Sequence, residues 1–229
     1  MCRAFVLLLI RLNRLKIVIL QHGDMSYQHG NTTKSINKAM SNNFFADAEF
    51  KNEDFSAKPL TKGHYENCSF TNCSFNQATL IDIVFTECEF NQCDLSLANL
   101  TNATLRDLKF IGCKLVGLHF ESCNDILFSV QFENCNLNLT SFYQRNMKKT
   151  IFKDCKLNET DFTETNLNEA SFKNCDLAGS VFEYTQLEKA DFRTSFNYII
   201  DPENNKISKA KFDASGLKGL LMKYNIIVD

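Results

Sequence analysis

Tryptophan is absent from the 229 residues, histidine occurs four times and glycine eight times. The histidines (His22, His29, His64, His119) sit in no HExxH pattern, no GxSxG elbow is present, and no glycine-rich loop is available to cradle a phosphate. These absences remove the commonest hydrolase, metalloprotease and nucleotide-binding signatures, so no catalytic residue and no cofactor is expected. The ten cysteines contain no CxxC pair; the closest spacings are Cys68 with Cys73 and Cys88 with Cys93, so zinc-ligand spacing is missing as well. The chain is neither small nor marked as secreted, which argues against a disulfide framework and for buried free thiols in a reducing cytoplasm. An unbroken apolar run is lacking too. Residues 4–20 are interrupted by Arg11, Arg14 and Lys16, which excludes an ordinary membrane span, and no small-residue cleavage site follows them. This stretch reads either as an amphipathic membrane-surface helix or as sequence upstream of a true start at Met25 or Met40, and no membrane partner is expected unless it is genuine.

Neither the helical period nor strand alternation runs through the middle of the chain. A beat of five does. From Phe45 to Phe120 nearly every fifth residue is large and apolar, and the beat resumes two residues late at Leu127 and continues to Phe192. A longer period of twenty lies over it: Phe70, Phe90, Phe110, Phe132, Phe152, Phe172 and Phe192 form one column, and Cys73, Cys93, Cys113, Cys135, Cys155 and Cys175 form a second, three residues on. Only a coil that returns on itself every twenty residues stacks such columns. Two residues before most large residues stands a compact one (Cys68, Ala78, Ala98, Thr160, Thr165, Ala170, Ser180), so both positions point inward. One coil cannot bury its own apolar side, so stability must come from stacking, and function is left to the outer faces, an interruption or the ends. The extra two residues fall between Phe120 and Phe132, near residues 124–126, with Cys123 keeping the first register and Leu127 the second. This interruption is either a recognition loop or a bulge tolerated on a surface.

The AxLxx wording, with Cys, Ser or Thr replacing Ala and Phe alternating with Leu, resembles the pentapeptide repeat family over roughly residues 45 to 195. The resemblance implies an all-β solenoid, a right-handed quadrilateral β-helix with four pentapeptides per coil. At about 4.8 Å per coil, seven or so coils make a rod roughly 35 Å long. The organisation expected is a non-repeat extension over 1–39, the β-helix over 40–195 and a C-terminal module over 196–229.

After Phe192, residues 197–212 read as two extended pieces about a Pro-Glu-Asn-Asn turn. Ser215 then caps a helix with one apolar face, Leu217, Leu220, Leu221 and Tyr224, and Ile226, Ile227 and Val228 follow as an extended tail. These seven residues are the candidate dimer interface. The ending Leu220-Leu-Met-Lys-Tyr-Asn-Ile-Ile-Val228 resembles the C-terminal module of the Qnr-type quinolone-resistance and McbG-like proteins. That resemblance implies a homodimer through the C-terminus, an acidic rod resembling duplex DNA, and a protein partner, DNA gyrase or topoisomerase IV, protected from quinolones or toxins without catalysis.

Charge fits a protein partner. The whole chain carries 25 basic and 27 acidic residues, but residues 1–40 hold six basic and one acidic, so the remainder has a net charge of −7. An acidic rod does not bind nucleic acid directly. Its acidity is densest at Glu159, Asp161, Glu164, Glu169, Asp176, Glu183, Glu188 and Asp191, the candidate partner face. A gyrase-type partner predicts these acids along one face. A general interaction scaffold with an unrelated partner, the alternative, predicts scattered charge and a lateral apolar patch.

Overall fold

The computed structural model describes residues 43–227. The expectations for residues 1–39, for Met40 as a start and for Val228 lie outside them. Contacts divide the chain into residues 1–39 and 40–229.

The chain is a parallel-strand β-solenoid. Eleven short strands form two all-parallel sheets. One joins β1 (Phe44–Ala46), β3 (His64–Glu66), β5 (Val84–Thr86) and β7 (Thr104–Arg106). The other runs β2 (Glu49–Lys51), β4 (Ser69–Thr71), β6 (Glu89–Asn91), β8 (Leu108–Ile111), β9 (Val130–Glu133), β10 (Ile151–Lys153) and β11 (Ser171–Lys173). Register is the sequence period made visible: Phe50 pairs with Phe70, Phe70 with Phe90, Phe90 with Phe110, and across the insertion Phe110 with Phe132. The other two sides are held by isolated parallel bridges such as Asp94↔Lys114 and Ser141↔Asp161. We number the sides by their central residues: face 1 (Tyr65, Phe85, Leu105, Met147, Leu167), face 2 (the Phe70 column), face 3 (Phe75, Leu95, Leu115, Leu137, Leu157, Leu177) and face 4 (Leu80, Leu100, Phe120, Phe142, Phe162, Phe182).

The interior is aromatic and dry. On face 2, rings stack coil on coil from Phe50 to Phe212 with centroids 4.7–5.4 Å apart and interplanar angles of 6–19°. Adjacent faces meet edge to face, as Phe152 does with Phe162 at 6.0 Å and 83°. Such geometry suits the ring quadrupole, and from Phe70 to Phe192 each ring of the column is also buried, the end rings Phe50 and Phe212 only partly.

The compact inward position has a second purpose. Its polar atom donates to the central carbonyl of the preceding face one coil back: Cys113 Sγ to Phe90 O at 3.3 Å, Thr165 Oγ1 to Phe142 O at 2.8 Å, Thr185 Oγ1 to Phe162 O at 2.9 Å. Small hydroxyl and thiol residues recur there because they fill little space and satisfy a buried acceptor. The nine cysteines of the described residues are all buried and free. The Cys135 and Cys155 thiols are pushed up to about 12, first by the hydrogen bond to the thiol one coil earlier and then by burial, so they stay protonated.

Most corners fall two residues after a central residue and lie in the left-handed region, with φ near 55° (Asn72, Glu87, Asp107, Gln144, Glu164); the positions after Phe55, Leu60, Phe120 and Phe192 do not. The corner turn closes through the following N–H, for example Arg145 N to Phe142 O at 2.9 Å.

Three expectations are corrected. First, the β-helix does not stop at residue 195: Lys206 and Lys211 bridge Gln186 and Asp191, and the Phe212 ring stacks on Phe192 at 5.3 Å. Second, the C-terminal segment opens as a 3-10 turn (Ala214–Gly216) capped by Asp213, whose carboxylate accepts from both the Ser215 amide and its hydroxyl, before α1 (Lys218–Leu221). The Asp213 carboxylate reaches the free Ser215 N–H from the preceding extended residue, so Ser215 is a donor within the turn and not the cap. Third, Leu127 does not point inward, as described below. The terminal segment lies on the last coil: Gly219 O accepts from Ile200 N at 3.1 Å, and a Cβ at Gly219 would come within 2.1 Å of Tyr198 O, so only glycine permits this approach. Lys223 bridges Asp201 and Glu203 at 2.7 and 2.6 Å, which holds both carboxyls below their usual range.

Candidate partner interface

The eight acids singled out by their density along the chain do not share one side. Glu169 and Glu188 lie on face 1, Asp191 on face 2 and Asp176 on face 3. Two of these are neutralised locally, Glu169 by Lys148 and Lys149 and Asp191 by Arg193, each cation holding the carboxyl below its ordinary value, while Asp176 and Glu188 form no ion pair within the described residues. Asp161, Glu164 and Glu183 belong to face 4, and Glu159 occupies the corner where face 3 turns into it. These four form no ion pair within the described residues.

Face 4 is distinctive in what it omits. From the Leu80 coil onward its segments, residues 78–82, 98–102, 118–122, 140–144, 160–164, 180–184 and 200–204, contain no lysine or arginine, whereas its first segment, residues 58–62, carries Lys58 and Lys62, the latter bridging Asp82 at 2.6 Å. Asp201 and Glu203, absent from the sequence expectation, extend the acidic end, although Lys223 covers them.

The same face collects exposed apolar side chains. Of the exposed large apolar residues before the C-terminal segment, Tyr143 and Val181 lie on face 4 and Leu97, Leu139 and Tyr184 at its corners, while Ile126 and Leu127 stand in the bulge of the next face, where Asn124 N donates to Ala103 O. At the corner with face 3, Leu97 lies across Gly117, where a Cβ would meet Leu97 Cδ2 at 2.7 Å. No period of five points to these positions. Their signal is an apolar residue at a place other than the two inward ones.

The inserted residues bulge from face 1, just past its corner with face 4: Asn124 N donates to Ala103 O at 2.8 Å and Ser129 N to Leu105 O at 3.0 Å, with the bulge between them. Leu127 is 63% exposed with φ of 56°, and Phe128, not Leu127, turns toward the core, edge-on to Phe120 at 6.1 Å. Phe128 and Phe132 are then four positions apart, one fewer than the usual five. Arg145 makes this arrangement hold. It occupies the compact inward position before Met147 and is only 4% exposed; its guanidinium donates to the carbonyls of Glu121 and Cys123 and to the Asp125 carboxylate, and lies 5.4 Å from the Phe128 ring centroid. Threonine in the same column, Thr165 or Thr185, reaches one carbonyl of the coil before it and, at 3.4 Å, one of its own coil; the widened coil presents two carbonyls of the preceding coil, and the long planar fork spans both. Burial pushes the neighbouring Cys123 thiol up to about 12. A charged residue at an inward position was the readable sign of a distorted coil.

The predicted dimer residues divide. Leu220 packs against the core and Leu221 is half-buried, whereas Leu217, Tyr224, Ile226 and Ile227 are exposed, Tyr224 donating to Glu203 Oε1 at 2.9 Å. Two shallow hollows, of about 360 and 370 Å3, lie away from face 4, lined by Lys114 and Lys156 and by Lys173 and Arg193. Among the described residues no three His, Cys, Asp or Glu side chains gather as metal ligands, and no helix is long and apolar enough to cross a membrane.

Two family models match the chain, one described as pentapeptide repeats (8 copies) over residues 66–107 and one as a pentapeptide repeat region over residues 125–196. No curated protein matches. Among solved structures, full-length QnrB1, a plasmid-mediated fluoroquinolone resistance protein, is 17% identical over 80% of this chain and 100% of its own, with a TM-score of 0.47. HetL, involved in heterocyst differentiation regulation in the cyanobacterium Nostoc, is 16% identical over 77% of this chain and 89% of its own, also at 0.47. A thylakoid-lumen protein of Arabidopsis thaliana is 19% identical over 56% of this chain and 60% of its own, at 0.21.

Proposed function

This chain belongs to the pentapeptide repeat family, and from that premise we propose that it is a non-enzymatic protein-binding rod whose partner docks on face 4. The observation that carries this reading is the convergence on one side, past the Lys62–Asp82 pair of its first coils, of acids without ion pairs, exposed apolar residues and no lysine or arginine. Aligned carboxylates steer a cationic partner, and apolar side chains give it a surface to bury. The first partner to test is DNA gyrase, with topoisomerase IV beside it, because QnrB1 is a fluoroquinolone resistance protein. The free buried thiols favour action in a reducing cytoplasm.

Purified protein from Met40 onward, titrated into a gyrase supercoiling reaction with and without a fluoroquinolone at two salt concentrations, is expected to inhibit or to relieve the drug, more weakly at high salt. No effect at protein excess would remove the topoisomerase reading.

A scaffold with a partner unrelated to topoisomerases is the second reading, favoured by the lateral apolar patch and by the spread of the remaining acids over three faces.

The exposed side chains of Leu217, Tyr224, Ile226 and Ile227 suit a second copy, making a homodimer through the C-terminal end. Truncation after Phe212 is expected to give monomer in sedimentation velocity where the full chain gives dimer. An unchanged dimer would place the interface elsewhere.

A further inference from the structure

We propose that face 4 receives a cationic amphipathic α-helix of a partner protein, laid along the rod with its apolar side chains over Leu139 and Tyr143 and its lysines or arginines over Asp161, Glu164 and Glu183. The inference rests on the reading of face 4 as the binding surface and adds to it the form and direction of the occupant.

The form follows from hydrogen bonding. Every coil of this face already spends its backbone on the next: Phe120 N donates to Ser141 O at 3.0 Å, Phe142 N to Asp161 O at 2.8 Å and Phe162 N to Val181 O at 2.9 Å, while Ser141, Asp161 and Val181 donate to Leu118 O, Thr140 O and Thr160 O. No edge is open sideways, so an extended peptide laid here would bury its own amides without partners. A helix satisfies its backbone internally and needs only side-chain contacts.

Dimensions agree. From the Leu100 coil to the Phe182 coil is four steps, about 19 Å. A helix covers that in roughly 13 residues, and its 5.4 Å turn keeps near register with the coils over this short span.

Direction follows from composition. Leu97, Leu139 and Tyr143 belong to the earlier coils, whose carboxylate Glu121 is taken up by His119, and the carboxylates of Glu159, Asp161, Glu164 and Glu183 belong to the later ones, with Val181 and Tyr184 flanking the acids. The helix must therefore be apolar toward one end of its contact and basic toward the other.

The chain has no tryptophan, so fluorescence excited at the indole band belongs wholly to a probe. The probe is a synthetic leucine-lysine amphipathic helix of about 18 residues with one tryptophan on its apolar side, and its control is the same peptide with glutamate for lysine. Saturable binding of the lysine peptide alone is expected. Tyr143→Ser with Tyr184→Ser should weaken it roughly tenfold at every salt concentration, and Asp161→Asn with Glu164→Gln and Glu183→Gln should flatten its salt dependence. All five side chains face outward, so the variants keep the melting curve of the parent. Absence of saturation at about 1 mM peptide, equal binding by both variants, or loss of binding through Lys173→Glu on face 2 would each overturn the proposal. A negative supercoiling result with intact peptide binding removes the topoisomerase partner and leaves this inference standing. The reverse pattern removes only the helix.

Discussion

Phe152→Asp is expected to abolish the folded rod at 25 °C, leaving a chain that loses the cooperative transition of the parent in far-ultraviolet circular dichroism. Phe152 is fully buried, stacked between Phe132 and Phe172 at 5.3 and 4.8 Å and edge-on to Phe142 and Phe162. Truncation to alanine alone should cost about 3–5 kcal/mol through lost transfer energy and a cavity that rigid rings cannot close. Aspartate adds the desolvation of a carboxylate with no donor in reach, several kcal/mol more unless it takes up a proton. Glu164→Ala, an outward substitution two residues past Phe162, should stay within about 0.5 kcal/mol of the parent. Equal melting of the two variants would refute the inward and outward assignment of the whole repeat.

Arg145→Thr is expected to cost about 2–4 kcal/mol, because the carbonyls of Glu121 and Cys123 both lose their donor inside a closed coil. The Asp125 side chain is 88% exposed, so Asp125→Ala should cost under about 1 kcal/mol although it removes the ion pair. The energy therefore resides in the two carbonyls and the Phe128 ring, not in the salt bridge. Deleting Asp125 and Ile126 returns Leu127 to twenty residues after Leu105 and removes the reason for a long side chain. Combined with Arg145→Thr, the deletion should recover most of the loss in chemical denaturation, whereas the deletion alone leaves an arginine without acceptors. An Arg145→Thr protein as stable as the parent would show that the bulge needs no clamp.

The fold was legible in the sequence because each coil repeats one packing problem, and Phe, Leu and Cys columns are its direct imprint. The errors arose where two residues of similar chemistry stood side by side. Leu127 and Phe128 are both apolar, and a beat counted backward from Phe132 selects the leucine; the structure turns that leucine into an exposed left-handed corner. Asp213 and Ser215 are both good caps, and only the extended backbone at Asp213 decides between them. The candidate site was harder to see, since density of acids along the chain mixes four faces. Asp161 and Asp191 are thirty residues apart in sequence and on different sides of the rod. Sorting residues by their place within the twenty would have separated them and would have shown face 4 to be free of lysine and arginine from the Leu80 coil onward.

The left-handed corners have a consequence for how such a rod can diverge. Asparagine, aspartate, glutamate, glutamine, lysine and leucine all occupy them, but no valine, isoleucine or threonine does, since a branched Cβ is penalised most at positive φ. Unbranched residues of either charge are thus interchangeable at about one position in five without disturbing a single buried ring. Surface charge can be rewritten there, corner by corner, while the core stays as it is. Partner choice and stability are in this way inherited on separate sets of residues, and one scaffold can acquire a new partner by substitutions that the fold does not register.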